Sequence, residues 1–174
     1  LYGARDPFSR KFIIDKGIKD QVRAGGAVID HAGVLGQVTR VYPFLAEVTQ
    51  ITDKNHAVPV RNVRSGLRAI VFGNGREGTL DLRFMPVNAD VQVGDTLVTP
   101  GIDGVYPAGL PVARVVDIER NAAMAFARIT CEPLSGVDRR SYVLVLNAVR
   151  ELPERPAEPA EAPLKRKKAR RGAS

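Results

Sequence analysis

The sequence predicts an all-β body, a barrel or a sandwich, and three observations carry that reading. Short runs rich in Val, Ile, Leu and Thr recur from Phe12 to Leu146, with Gly, Pro or Asp at their ends, as expected of short strands joined by tight turns. Hydrophobic residues make up 44% of the chain but aromatic residues only 6%, with no Trp, so the core must be filled by aliphatic side chains. No cluster of reactive side chains interrupts the pattern, which favours binding or scaffolding over catalysis.

The elements follow in order. Residues 1–10 are a lead-in in which Pro7 imposes a turn. KFIID at 11–15 is a compact strand closed by Gly17. Strands are expected at 28–29 and 34–41, on either side of a turn ending at Gly33. Gly36 within the second marks a bulge or a close backbone approach. EVTQIT at 47–52 is β-branched at four of six positions and reads as strand. DKNH at 53–56 is a polar turn, and 57–63 continues as a strand that Pro59 assigns to an edge.

Arg64, Ser65 and Gly66 form the junction between two halves. Strands at 67–72 and 79–84 flank GNGREG at 73–78, the clearest hairpin of the chain, with Leu80, Leu82 and Phe84 on one face and Asp81 and Arg83 on the other. Short strands at 91–93 and 97–99 surround a turn at Gly94 and Asp95. Residues 112–132 contain no Gly or Pro. Their β-branched density favours two strands with a turn near Asn121, a helix over the Ala-rich 121–128 being the competing reading. YVLVL at 142–146 is a continuous apolar run suited to a strand covered on both faces. From Glu151 the chain becomes Pro/Glu/Ala-rich and then basic, a composition with too little to bury, so 150–174 reads as a disordered tail.

Charge and cysteine narrow the function. The net charge is +7, but seven basic and four acidic residues lie from Glu151 onward, so the body is only mildly basic and does not call for nucleic acid. Cys131 is the one cysteine, which excludes an internal disulfide and a Cys-based zinc site. No apolar run approaches the roughly 18 residues of a membrane span. The chain starts at Leu1 without Met and reads as a piece of a longer protein.

Two other readings compete with a scaffold. A chymotrypsin-like hydrolase would need His31 or His56 beside an acid and a nucleophile. Asp53 precedes His56 by three residues, which is ordinary turn chemistry, and Ser65 and Ser135 lack a nucleophile loop's glycines. An RNA-binding barrel would need basic residues interleaved with exposed aromatics. Arg61, Arg64 and Arg68 have no aromatic companion before Phe72. The basic cluster at 165–171 reads as a solubilising tail rather than an anionic-surface site. No catalytic, cofactor or metal residue is expected.

FIIDKG at 12–17, AVIDHAGVLGQVTRV at 27–41, VTQITDKNHAVPV at 48–60 and VQVGDTLVTPGIDGVYPAGLPVARV at 91–115 together resemble the extracytoplasmic domain of the MreC family, the bacterial rod shape-determining proteins. The last block carries the most weight, because Gly94, Asp95, Gly101, Gly104, Pro107, Gly109 and Pro111 fall at the family's spacing. Departures are confined to turns: Pro100 where Ser is usual, Ala113 where Gly is frequent, and Gln21 where Gly is common. The resemblance implies two small β-barrel subdomains. It also implies a non-enzymatic scaffold of the cell-elongation and peptidoglycan-synthesis machinery at the periplasmic face of the inner membrane, held there by an N-terminal helix that this chain lacks. Implied partners are a second copy, in dimers or filaments, and MreB, MreD, RodA and penicillin-binding protein 2, with no cofactor and no nucleic acid.

The expected division is a lead-in at 1–10, a first subdomain at 11–66 completed by 141–149, a second at 67–140, and the tail from 150. The working surface is expected in the loop of Gly101, Ile102, Gly104, Val105, Tyr106 and Pro107, with Ile102, Val105 and Tyr106 offering apolar contact. The alternative is that these three fill the barrel mouth. Gly17, Gly33, Gly36, Gly94, Asp95, Gly101, Gly104, Pro107 and Gly109 are expected to shape turns.

Overall fold

A computed structural model describes residues 10–75, 77–102, 104–136 and 142–147. These residues form eleven strands and one 3-10 turn, Ile18–Asp20. The strands are β1 Lys11–Ile14, β2 Ala27–Ile29, β3 Val34–Val41, β4 Ala46–Gln50, β5 Ala57–Asn62, β6 Arg68–Gly73, β7 Leu80–Leu82, β8 Thr96–Val98, β9 Pro111–Glu119, β10 Arg128–Pro133 and β11 Leu144–Leu146. One unit is a five-stranded sheet in the order β1-β4-β3-β2-β11. The other is a closed six-stranded barrel, β10-β7-β6-β5-β8-β9. The all-β class is as the sequence predicts. The tail expected from 150 lies outside the described residues.

Alternation in sequence produces the two cores. In β5 the burial pattern alternates, so Val58 and Val60 enter the barrel with Val71, Leu80, Leu82, Leu97, Val112, Val115 and Ile129. Phe12, Val28, Leu35, Val38 and Val48 fill the second core against the sheet. Each such side chain taken out of water stabilises the fold by roughly 1.5–3 kcal/mol. The units meet where β3 begins: Val34 packs into the barrel core, and the buried Ser135 hydroxyl donates to the Val34 carbonyl. Gly33 permits this contact, since a β-carbon there would lie 2.2 Å from the Pro111 carbonyl oxygen. Gly36 gives the close approach expected of it: a β-carbon would sit 2.2 Å from the Thr49 carbonyl oxygen on β4. At the sheet's other end, Gly17 packs equally close to the Tyr42 carbonyl and opens the 3-10 turn.

Strand pairing corrects several expectations. β5 belongs to the barrel, paired along its length with β6 and at Arg61 and Asn62 with β8, so the two units divide at 51–56 and not at 64–66. The physical reason is the hairpin itself: Asn62 takes the chain back at Leu67 through a tight turn, which forces β5 and β6 to be neighbours. Pro59 lies on the stretch of β5 beyond β8, where a missing N–H leaves no ladder bond unmade. Residues 91–93 are not a strand, because Asp95 draws the Gln92 N–H to its carboxylate and turns the chain. The 142–146 run is not covered on both faces: among the described strands β11 pairs only with β2, and Leu144 and Tyr142 are exposed. Residues 112–132 hold two antiparallel strands, β9 and β10, around a turn in which the Met124 N–H bonds to the Asn121 carbonyl.

Candidate functional site

The loop expected to carry the working surface is divided by its packing. Ile102 is 63% exposed, whereas Tyr106 is 4% exposed and belongs to the barrel core, and Val105 packs partly against that core. Tyr106 is therefore no surface residue: its ring fills the barrel mouth and its phenol lies 3.0 Å from His56 Nε2. The loop is braced from within, since the Thr99 hydroxyl donates to the Pro107 carbonyl and accepts the Leu110 N–H. Gly94, Gly101, Gly104 and Gly109 each stand at positive φ in turns.

The polar residues singled out for other chemistries have structural work. Burial holds the His56 imidazole below its usual pKa, with the Asp53 charge opposing. Asp53 is itself buried and accepts the Arg10 and Asn55 N–H groups, which anchors β1 to the barrel. Ser135 bonds the Val34 carbonyl and the Ser65 hydroxyl oxygen accepts the Leu67 N–H, so neither serine stands beside His56. Cys131 is fully buried, and burial, helped by the Asp81 charge, pushes its thiol up to about 12. Of the three arginines, Arg64 is committed: its guanidinium holds Asp95 at 2.8 and 3.0 Å and Asp90 at 2.8 Å. Asp95, expected only to shape a turn, is a buried acceptor that also receives the Asn62 amide and the Gln92 N–H. No group of three metal-binding side chains occurs among the described residues.

The surface that stands out lies elsewhere, where the sequence reading expects none. Leu80 and Leu82 point into the barrel, and a period of two would send Phe84 in after them. Instead Phe84 takes φ 63, a left-handed conformation that is an outlier for a bulky residue and costs on the order of 1–3 kcal/mol. That turn resets the phase. Met85 goes inward, its carbonyl accepting the Ala127 N–H, and Phe84 is left 68% exposed. Its ring meets Phe72 edge-on at 6.2 Å and Phe126 edge-on at 6.1 Å, while the Arg83 guanidinium lies 4.8 Å over Phe72. Ile70, on the same outward face of β6 as Phe72, and Met124, in the same turn as Phe126, are exposed too. Aromatic rings, Met and Arg gathered on a rigid wall are the composition of a protein-binding hot spot. The only warning in the sequence is RFMP at 83–86, two large apolar residues side by side after a strand that alternates.

Comparison with known proteins points one way. The family model described as rod shape-determining protein MreC, barrel core, matches residues 1–147. The cell shape-determining protein MreC of Escherichia coli (strain K12) is 40% identical over 141 residues, 81% of this chain and 38% of that protein. The crystal structure of MreC from Pseudomonas aeruginosa aligns with a TM-score of 0.79 at 39% identity, over 83% of this chain and 93% of that one. The complex between penicillin-binding protein (PBP2) and MreC from Helicobacter pylori shares the fold, with a TM-score of 0.58 at 20% identity over 71% of this chain and 77% of that one. The chain spans about two-fifths of the length of the curated relatives it matches.

Proposed function

The chain belongs to the MreC family of rod shape-determining proteins, and we propose that it is the partner-binding β-domain of a non-enzymatic scaffold for peptidoglycan synthesis during cell elongation. The observation that carries this reading is Phe84: a large ring held outward in a strained conformation, between two other rings, on the wall of a closed barrel. The turn at Phe84 brings Met85 into the core, but the Phe84 ring itself gains no core packing from it, so contact with another molecule is the reading that gives the exposed ring a use.

The partner proposed for this surface is penicillin-binding protein 2, in keeping with the complex described for the Helicobacter pylori relative. Ile102, exposed in the 101–107 loop, offers a second contact. Self-association would use the edge of the sheet at β11, whose outer side has no neighbouring strand among the described residues. MreB, MreD and RodA would be met by the assembled full-length protein at the periplasmic face of the inner membrane, held by a membrane helix outside this chain. The domain would work by contact and not by turnover, since His56, Ser65 and Ser135 are used in packing and turns.

The test is made in cells. A full-length gene carrying Phe84→Asp, replacing the native copy, should give rounded cells at normal protein levels. Retention of rod shape with that variant would overturn the reading. Rounding caused by His56→Gln with the fold intact would point to chemistry instead of contact.

A further inference from the structure

Arg61 and Arg68 stand directly opposite each other across the ladder of β5 and β6, and both are exposed. Side chains so placed have β-carbons about 4.5–5.5 Å apart, and like charges at that separation destabilise a sheet. Neither guanidinium forms an ion pair among the described residues. Acids near the same hairpin are engaged elsewhere: Asp90 and Asp95 hold Arg64 at its turn, and Asp81, across from Phe72, lies 3.7 Å from Arg83. The backbone cannot separate the pair, because the next step of the hairpin is closed by the Asn62 N–H bonding to the Leu67 carbonyl at 2.8 Å. Two uncompensated cations are thus held side by side on a rigid strand pair.

The pair lies on the wall that carries the Phe84 cluster. Arg68, Ile70 and Phe72 alternate outward along β6, with Arg61 and Pro59 beside the first two on β5, while Val58, Val60 and Val71 go into the barrel. Four residues separate Arg68 from Phe72, about 13 Å of strand. The outward row therefore runs from two cations, through the exposed Ile70, to the rings of Phe72 and Phe84. We propose that the partner which packs on the Phe84 surface places a carboxylate side chain between Arg61 and Arg68, an inference that rests on that surface being a binding site.

The chemistry of the two groups selects the ligand. A guanidinium is planar, always charged, and offers forked donors that match the two oxygens of a carboxylate. One carboxylate lying between two such groups turns their mutual repulsion into attraction, so the unfavourable pairing of the free chain is relieved on binding. The ring cluster gives the partner an apolar anchor, and the arginine pair at the other end of the row fixes its orientation on the wall. Such a charge contact is screened by salt, whereas the ring contacts are not.

The test measures binding of the whole chain to the periplasmic part of penicillin-binding protein 2 from the same organism, at low and at high salt. The double variant Arg61→Gln with Arg68→Gln should bind about tenfold more weakly at low salt, with a flatter salt dependence. Phe84→Gly should bind more weakly with the salt dependence kept. Arg68→Glu should weaken binding more than the Gln changes do, with a Tm no lower than the parent's, because a carboxylate opposite Arg61 replaces repulsion by attraction. Binding lost in Phe84→Gly but unchanged in affinity and salt slope in the double variant overturns this inference and leaves the Phe84 reading standing. Binding unaffected by every one of these variants overturns both. Weaker binding in a double variant whose Tm has fallen by several degrees would give the arginines a role in the fold and overturns the inference equally.

Discussion

The phenol of Tyr106 and Nε2 of His56, fifty residues apart in sequence, meet at 3.0 Å in the mouth of the barrel. The contact ties the 101–107 loop to the turn before β5 and places a histidine where burial disfavours its charged form. His56 titrates below its ordinary 6.5 in the folded chain, so the unfolded chain takes the proton first. Its contribution is complete above 6.5 and is lost as pH falls below that value toward the folded pKa. Melting temperature should therefore drop between pH 7.5 and pH 5.5, and His56→Gln should flatten that slope. An unchanged slope would show that His56 is not the group responsible.

The division of the loop into core and surface is separately checkable. Tyr106→Ala removes a buried aromatic ring and should destabilise by about 3–5 kcal/mol, while Tyr106→Phe, which loses only the hydroxyl contact, should cost about 1 kcal/mol. Ile102→Asn should stay within about 0.5 kcal/mol of the parent. Chemical denaturation of the three variants measures all of this, and a large loss for Ile102→Asn would place that residue in the core.

A second acid-sensitive group lies at the turn before β8. Asp95 is held at about 2, first by the Arg64 guanidinium and then by the Asn62 amide and the Gln92 N–H, against an ordinary 3.8. Its stabilisation is complete above 3.8 and is lost as pH falls toward 2. Asp95→Ala strands the buried Asn62 amide and should cost about 2 kcal/mol at neutral pH. Asp95→Asn should remove the part of the acid transition between pH 4 and pH 2 while leaving the His56 window untouched.

Gln21 supplies a test in the opposite direction. It stands at φ 63, and it is its backbone carbonyl that accepts the bond from Asn147. Gln21→Gly relieves a left-handed strain of about 1–2 kcal/mol, less the entropy glycine loses on folding. The net should be a stabilisation of about 0.5–1 kcal/mol, a rise of about 2–4 °C in Tm. A fall in Tm would mean that the side chain makes a contact worth more than the strain.

Agreement between sequence and structure follows a physical division. The strands at 34–41, 111–119 and 128–133 are legible because β-branched alternation and glycine at close approaches are local properties, set within a few residues. Placement of β5 is not, since Val58 and Val60 would suit either core and only the partner across the ladder decides. The outward turn of Phe84 is nearly hidden because one left-handed residue shifts the inside–outside phase of all that comes after it, and its one trace in the sequence is the adjacent pair Phe84 and Met85, which does not say which of the two goes in. Asp95 reads as a mere turn residue because its donors lie some thirty residues away at Asn62 and Arg64.

The most direct measurement is the affinity of this chain and its Phe84→Gly variant for the periplasmic part of penicillin-binding protein 2 from the same organism, with Tm read in parallel. Glycine removes the strain and also the two edge-on ring contacts, each worth about 0.5–1.5 kcal/mol, so Tm should move by no more than about 3 °C. Binding should weaken at least about thirtyfold, the loss of a hot spot of about 2 kcal/mol. Undiminished binding by a variant whose Tm is unchanged would contradict the proposal that the Phe84 surface is a partner-binding site.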